Sequence, residues 1–214
     1  MWPSVEDLQT IWLLTYSRSS LIDADEFLKA LDIVTPQSLH YRALIDAAVI
    51  AYTRPFTQCQ IPLTGKLVPL KDVRPPPNLV EFHRHALIMR HTMIGHKDAT
   101  PAQGYTATPN IVLVEINSKA FKLHSTTIGE MEPPMRSALR ELCGYFLKHC
   151  AERLRPLTKT YYPEVMKNQP GAHELVISKP PAEWIIPFQS KHGEDFRAEQ
   201  HWPVVARSEP YFSA

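Results

Sequence analysis

The stretch Leu139-Arg140-Glu141-Leu142-Cys143-Gly144-Tyr145-Phe146-Leu147-Lys148-His149-Cys150 indicates the architecture of this chain. Its apolar side chains recur every three or four residues, which is the spacing that places them on one face of an α-helix. That face continues to Leu154, and we predict a helix from about Pro133 to Arg155 that Pro156 ends. A long helix with one apolar face must bury that face, so we expect a helical bundle.

Four earlier segments show the same periodicity and are also predicted as helices. They run from Val5 to Tyr16, from Asp23 to Leu31, from Thr35-Pro36 to about Arg54, and from Asn78 to Gly95. Pro55 stops the third of these helices, because a proline disfavours helical backbone in the residue before it. The spacing within that helix places on one face Leu39, Ala43, Asp46 (or Ala47) and Ile50.

Two regions depart from the helical pattern. Ile111 to Ile116 and Ala120 to Ser125 flank Asn117-Ser118-Lys119, and in the first segment the positions of Ile111, Leu113 and Glu115 alternate with those of Val112, Val114 and Ile116, which predicts a small β-hairpin. After position 156 the chain becomes rich in proline and its apolar pieces become short. We predict a mainly α protein with a helical bundle domain at 1–156, which includes the hairpin, and an extended tail at 157–214 that packs on the bundle or on a partner subunit.

The composition is that of a globular protein with one core. The chain has 214 residues, of which 44% are apolar. No apolar stretch approaches the roughly 20 residues of a membrane helix. The first residues lack the basic and apolar regions of a signal peptide, so we expect a cytoplasmic protein without a membrane partner. A net charge of +1 gives no general affinity for nucleic acid, and RNA binding would need a local basic patch.

Neither a metal nor a cofactor is expected. Cys143 and Cys150 share one helix face, as buried small residues do, and Cys59 lies far from both in sequence. His83 and His91 can share a helix face, but the histidines around them lack the i, i+4 spacing of a helical zinc site.

The segment Arg90-His91-Thr92-Met93-Ile94-Gly95-His96-Lys97-Asp98 closes the fourth predicted helix and carries the candidate chemistry. A histidine imidazole can take a proton from a ribose 2′-hydroxyl or return one to a leaving oxygen. An arginine guanidinium keeps its charge and can hold a phosphate as negative charge builds up on it. Arg90 and His96 therefore provide the two types of side chain that RNA cleavage without a metal needs. The alternative is a pair of cations that stabilises the helix C-terminus.

The spacing of this pair constrains its geometry. Positions 90 and 96 are six residues apart, which on a regular α-helix is about 240° round the axis and about 9 Å along it. Both groups can reach one phosphate only if the helix unwinds near Gly95 or if two copies of the chain meet. A twofold dimer would place two arginines and two histidines round one groove.

A helical bundle in which one helix ends in arginine, a polar residue, four further residues and histidine resembles the HEPN superfamily. Arg90-His91-(four residues)-His96 matches this pattern, and Tyr52-Thr53-Arg54-Pro55-Phe56 resembles a recurrent segment of HEPN-like and abortive-infection-like proteins. The resemblance covers roughly residues 35–155 and explains neither the hairpin nor the tail. It implies a four- to five-helix bundle and metal-independent endoribonuclease activity, as in prokaryotic toxin and phage-defence systems.

The resemblance also implies roles for single residues. Arg90 would stabilise the scissile phosphate, and His96 would act as general base or acid at the 2′-hydroxyl, leaving a 2′,3′-cyclic phosphate. His91 would orient the pair or the phosphate. The implied partners are a second copy of the chain, RNA and an antitoxin protein.

Three further residues are candidates for binding the substrate, namely Arg54, His83 and Lys97. Arg54 has a second interpretation, because it precedes Pro55 and suits the capping of a helix C-terminus. The whole chain likewise has a second interpretation, as a non-catalytic helical interaction module that binds RNA, a nucleotide or a protein partner.

Overall fold

A computed structural model describes residues 3–36, 38–57, 69–70, 73–91, 111–116, 121–126, 131–165, 167, 173–175 and 185–187. This part of the chain is mainly helical. Its helices are α1 (Val5–Ala30), α2 (Leu39–Thr53), α3 (Val80–Met89) and α4 (Pro133–Val165), and single 3₁₀ turns follow α2 (Arg54–Phe56) and precede α3 (Pro77–Leu79). No helix in these ranges has the length and apolarity needed to cross a bilayer.

The chain divides into two compact units. One contains residues 13–155, and the other contains residues 1–12 together with residues 156–214. In the first unit, strand β1 (Ile111–Ile116) pairs antiparallel with β2 (Phe121–Thr126), with Ile116 opposite Phe121. In the second unit, β3 (His173–Leu175) pairs antiparallel with β4 (Ile185–Pro187). There the hydroxyl of Tyr161 also donates a hydrogen bond of 2.6 Å to the carboxylate of Asp7.

The prediction of two separate helices before position 31 was wrong, since α1 is continuous from Val5 to Ala30. The connecting residues contain neither glycine nor proline, and therefore nothing interrupts the backbone hydrogen bonds. Leu14, Leu21 and Leu28 are completely buried at spacings of seven. Burial of this single stripe favours one helix over two.

The prediction that Pro156 ends the last helix was also wrong, because α4 continues to Val165 with Pro156 and Pro163 inside it. A proline in a helix loses only its own amide hydrogen bond and crowds one carbonyl, which costs about 3 kcal/mol and can be offset elsewhere. The hydroxyl of Thr160 donates to the carbonyl of Pro156 at 2.9 Å. Tyr161, beyond the proline, is buried and bonded to Asp7, so that packing holds this extension.

The core of the unit at 13–155 lies between α1, α2, α3 and α4. Its largest completely buried side chains include Tyr52, Phe146, Leu21, Ile45, Met89 and Leu139. On the outside of the core, Arg136 forms an ion pair of 3.1 Å with Asp32. Nearby, Arg140 lies 3.6 Å from Asp25, which links α4 to α1 itself, whereas Asp32 lies in the turn after α1.

Helix α2 begins and packs differently from the prediction. Ser38, not Thr35, caps it, since the Ser38 hydroxyl accepts a 3.1 Å hydrogen bond from the amide of Tyr41. Leu39, which was predicted to belong to the main apolar face, is 79% exposed. The buried face is rotated away from it and includes Ile45, Ala48, Val49 and Tyr52. Burying the large ring of Tyr52 gives this face more contact area than the predicted one.

Candidate functional site

The end of α2 and the start of α3 meet in a hydrogen-bonded pair. The hydroxyl of Tyr52 lies 2.7 Å from Nδ1 of His83. Tyr52 is completely buried, while His83 is partly exposed. Burial raises the pKa of the Tyr52 hydroxyl well above its usual value and lowers the pKa of the His83 imidazole. Both groups are therefore neutral near pH 7, and the pair is a hydrogen bond between neutral partners.

Two phenylalanines surround the imidazole of His83. The ring of Phe56, in the 3₁₀ turn after α2, lies edge-on at a centroid distance of 4.7 Å. Phe146 of α4 lies 5.8 Å away and also contacts Phe56 at 4.7 Å. These distances are typical of favourable aromatic packing. The ring of His83 is thus held on one side by a hydrogen bond and on others by apolar faces, which leaves it little freedom to rotate.

A buried thiol on α4 also interacts with the Tyr52 hydroxyl. Cys143 lies one turn before Phe146 on α4 and is completely buried. Burial raises the pKa of its thiol to about 12, so the thiol stays protonated. Its influence on Tyr52 is to raise the hydroxyl pKa further. The hydroxyl and the thiol are therefore both protonated and suited to hydrogen bonding, while the carboxylate of Asp25 on α1 also acts on Cys143.

Arg54 lies two residues after Tyr52 and is the exposed residue of the 3₁₀ turn, in which Pro55 is buried. Its charge acts on Asp23 of α1, where it opposes the rise in carboxyl pKa that burial causes. The positive charge of Arg54 is therefore partly balanced by the carboxylate of Asp23. The backbone amide of Arg54 bonds to the carbonyl of Ile50, which makes the residue the last of the helical ladder.

Arg90 stands at the point where α3 stops being a regular α-helix. Its backbone amide bonds to the carbonyls of Ala86 and Leu87, and from Arg90 to His91 the chain enters a π-helical turn. Arg90 is partly exposed and His91 is exposed. A π turn holds more residues than an α turn and is frequent at functional sites. Gly95 and His96 lie outside the described residues, so the 240° separation expected from the spacing stays a prediction.

His83 and Arg90 lie on one face of α3. They are seven residues apart, which is close to two full turns and about 10 Å along the axis. Tyr52 contacts His83 near the start of α3, and Arg90 follows the last residue of that helix. His96 and Lys97 lie outside the described residues, and their positions relative to His83 and Arg90 stay predictions.

Sequence reasoning did not identify Tyr52, Phe56 and Phe146 as neighbours of His83. The i, i+4 spacing of Tyr52 and Phe56 across the helix end was a usable signal, since it points both rings to one side. Within the described ranges, no group of three or more His, Cys, Asp or Glu side chains has the arrangement of a metal site. No protein-family model, curated protein or solved structure matches the chain.

Proposed function

We propose that the chain is a metal-independent, HEPN-like endoribonuclease, as found in toxin or phage-defence systems, in which Arg90 and His96 act on one phosphodiester. Arg90 holds the phosphate, His96 moves the proton of the 2′-hydroxyl, and His91 orients the phosphate. The cut leaves a 2′,3′-cyclic phosphate and a 5′-hydroxyl, because the 2′-oxygen replaces the 5′-oxygen on phosphorus. The proposal rests on the Arg-His motif and on the chemistry of its two side chains.

One structural observation supports it more than the others. The regular part of α3 ends at Met89, and the π-helical turn begins at Arg90, the first residue of the motif. The spacing of Arg90 and His96 requires such a departure if one chain is to aim both groups at one phosphate. The partial exposure of Arg90 leaves its guanidinium within reach of a ligand. Arg54 and His83 offer further contacts to the RNA strand that is cut, and Lys97 adds a positive charge next to His96.

A homodimer is the second arrangement that meets the requirement of the motif. Two helix ends related by a twofold axis would bring Arg90 of one copy towards His96 of the other. Sedimentation at micromolar concentration tests this arrangement, and we expect a mass of twice 24.4 kDa. A purified monomer that still cuts RNA would assign the whole site to a single chain.

The experiment that tests the activity uses a short labelled RNA, the purified chain and an excess of a chelator. We expect cleavage, a cyclic phosphate on the product, and no cleavage of the DNA of the same sequence, which lacks the 2′-hydroxyl. His96→Ala should abolish cutting while the circular dichroism spectrum stays unchanged. Cleavage that stops in the chelator, or that leaves a 3′-hydroxyl, would contradict the proposal.

A second candidate function is a non-catalytic interaction module. A cavity of about 660 Å³ opens where α1 turns into α2 and is lined mainly by apolar residues, among them Val34, Ala43 and Leu44. Ile33, which lines it too, is 87% exposed. Exposed apolar side chains beside an apolar cavity are typical of protein-binding surfaces. This candidate predicts that the pure protein cuts no RNA and that Arg90→Ala changes nothing measurable.

A further inference from the structure

The direction of the hydrogen bond between Tyr52 and His83 determines which ring nitrogen of His83 carries a proton. A hydrogen bond of 2.7 Å joins the two side chains, and either partner has a proton to give. If Nδ1–H of His83 donated, the proton of the Tyr52 hydroxyl would need an acceptor of its own. Among the residues that the structure describes, Tyr52 has no hydrogen bond besides this one.

The burial of Tyr52 decides between the two directions. Its side chain is completely buried, so that water does not serve as the missing acceptor. A buried O–H group without a partner is strongly disfavoured. The stable arrangement is therefore the one in which the Tyr52 hydroxyl donates to an unprotonated Nδ1 of His83. A neutral imidazole then carries its proton on Nε2, and the ring presents an N–H group on the side away from Tyr52.

We propose that Tyr52 fixes His83 in the neutral Nε2–H tautomer and that His83 gives this hydrogen bond to a phosphate oxygen of an RNA strand lying along α3. The proposal rests on the function proposed above and deepens it by naming Nε2 as the donor atom of His83 and Tyr52 as the residue that positions it. His83 shares a face of α3 with Arg90, about 10 Å away along the axis. An extended strand that places one phosphate at Arg90 can reach His83 with another.

The groups that face His83 favour a neutral imidazole that donates a hydrogen bond over one that takes up and releases a proton. From α2 it meets the neutral hydroxyl of Tyr52, from the following turn Phe56, and from α4 Phe146 with the protonated thiol of Cys143 one turn earlier. None of these groups stabilises a charged imidazolium. With Nδ1 accepting the hydroxyl proton, protonation of His83 there would reverse the hydrogen bond and leave the Tyr52 proton without an acceptor among the described residues.

The test is nitrogen NMR of the full chain labelled with ¹⁵N-histidine, with the signals of His83 assigned from their loss in His83→Gln. We expect the Nε2–H pattern, and a titration midpoint below the ordinary value of 6.5. Tyr52→Phe should mix the two tautomers and raise the midpoint. Tyr41→Phe is the matched control, since Tyr41 is also buried on α2 but makes no contact with this ring in the described ranges. An Nδ1–H pattern in the native chain, or equal effects of the two tyrosine variants, would overturn the role of Tyr52.

The binding role of His83 is tested with a 2′-O-methyl oligonucleotide, which cannot be cut. We expect the Nε2–H proton of His83 to shift on binding, and His83→Ala to weaken binding about tenfold. His83→Gln keeps an N–H donor and should stay within about twofold of the native affinity. If the oligonucleotide binds without moving the His83 signal, the binding role is wrong even if the chain cuts RNA. If the signal moves but no RNA is cut in a chelator, the ribonuclease proposal fails and the role of His83 stands.

Discussion

The hydroxyl of Tyr52 lies 2.7 Å from Nδ1 of His83, which ties the last turn of α2 to the first turns of α3. The two residues are 31 positions apart in the sequence. The contact therefore fixes where α3 starts relative to α2. Because Arg90 follows His83 by about two helical turns, this one contact also helps to position the backbone at Arg90.

Tyr52→Phe should lower the free energy of unfolding by about 1–3 kcal/mol, because it leaves Nδ1 of His83 without its partner in an apolar environment. Urea denaturation followed by circular dichroism measures the change. The matched control is Tyr41→Phe, for which we expect a change of less than about 0.5 kcal/mol. Equal changes in the two variants would mean that the hydrogen bond adds nothing to the stability of the fold.

Phe146→Ala should cost about 3–5 kcal/mol, since it empties the space between Tyr52, Phe56 and His83. Tyr145 is its neighbour on α4 and is 40% exposed. Tyr145→Ala is therefore the control and should cost clearly less. The comparison is made by thermal unfolding of both variants. Similar midpoints for the two would argue against a core centred on Phe146.

The hydrogen bond between Tyr161 and Asp7 predicts a dependence of stability on acid. Donation from the Tyr161 hydroxyl, followed by that from Ser4, lowers the pKa of the Asp7 carboxyl below 3.8. Since the folded-state pKa is the lower one, the stabilisation is present above the unfolded value and is lost as the pH falls through the folded value. Tyr161→Phe should raise the Asp7 pKa towards its usual value, as measured by carbon NMR of the carboxyl. An unchanged titration in Tyr161→Phe would show that the hydrogen bond is not formed in solution.

The thiols of Cys143 and Cys150 should not react with thiol reagents in the folded protein. Burial raises their pKa values to about 12 and about 11, and the thiolate is the reactive form. In a Cys59→Ser background at pH 8, we expect no reaction with an aromatic disulfide reagent within minutes and rapid reaction of both thiols in guanidinium. Rapid modification of the native chain would place at least one of the two outside the core.

Helix positions followed from local patterns, whereas helix ends and faces depended on packing. The spacing of Leu139, Cys143 and Phe146 predicted the apolar face of α4, and all three are completely buried. Pro156 misled the prediction because its local cost is offset by contacts made further along the helix, at Tyr161. Leu39 was predicted to be on the buried face of α2, but it is exposed, since in the first turn of this helix no neighbour covers it.

Single residues of the site could be predicted from the sequence, but the contacts between them could not. The residue types at Arg90 and His91 and their place near the end of α3 follow from the sequence. The contact between Tyr52 and His83 does not, because it depends on how two helices approach each other and on which face of α2 is buried. From the spacing we expected either that the helix unwinds near Gly95 or that two copies of the chain meet, and Gly95 lies outside the described residues. The π-helical turn at Arg90 was not predicted.

The rate of RNA cleavage in a chelator by Arg90→Ala, compared with Arg84→Ala, tests the proposed activity most directly. Arg84 lies on the same helix, and its guanidinium is exposed and bonded to Glu81 at 2.6 Å, so the two variants lose the same charge from α3. We predict that Arg90→Ala slows cleavage by at least about 100-fold, because a donor to the transition state is lost. Arg84→Ala should stay within about threefold of the native rate. Equal rates for the two variants, or no cleavage by the native protein, would contradict the assignment of Arg90 to catalysis.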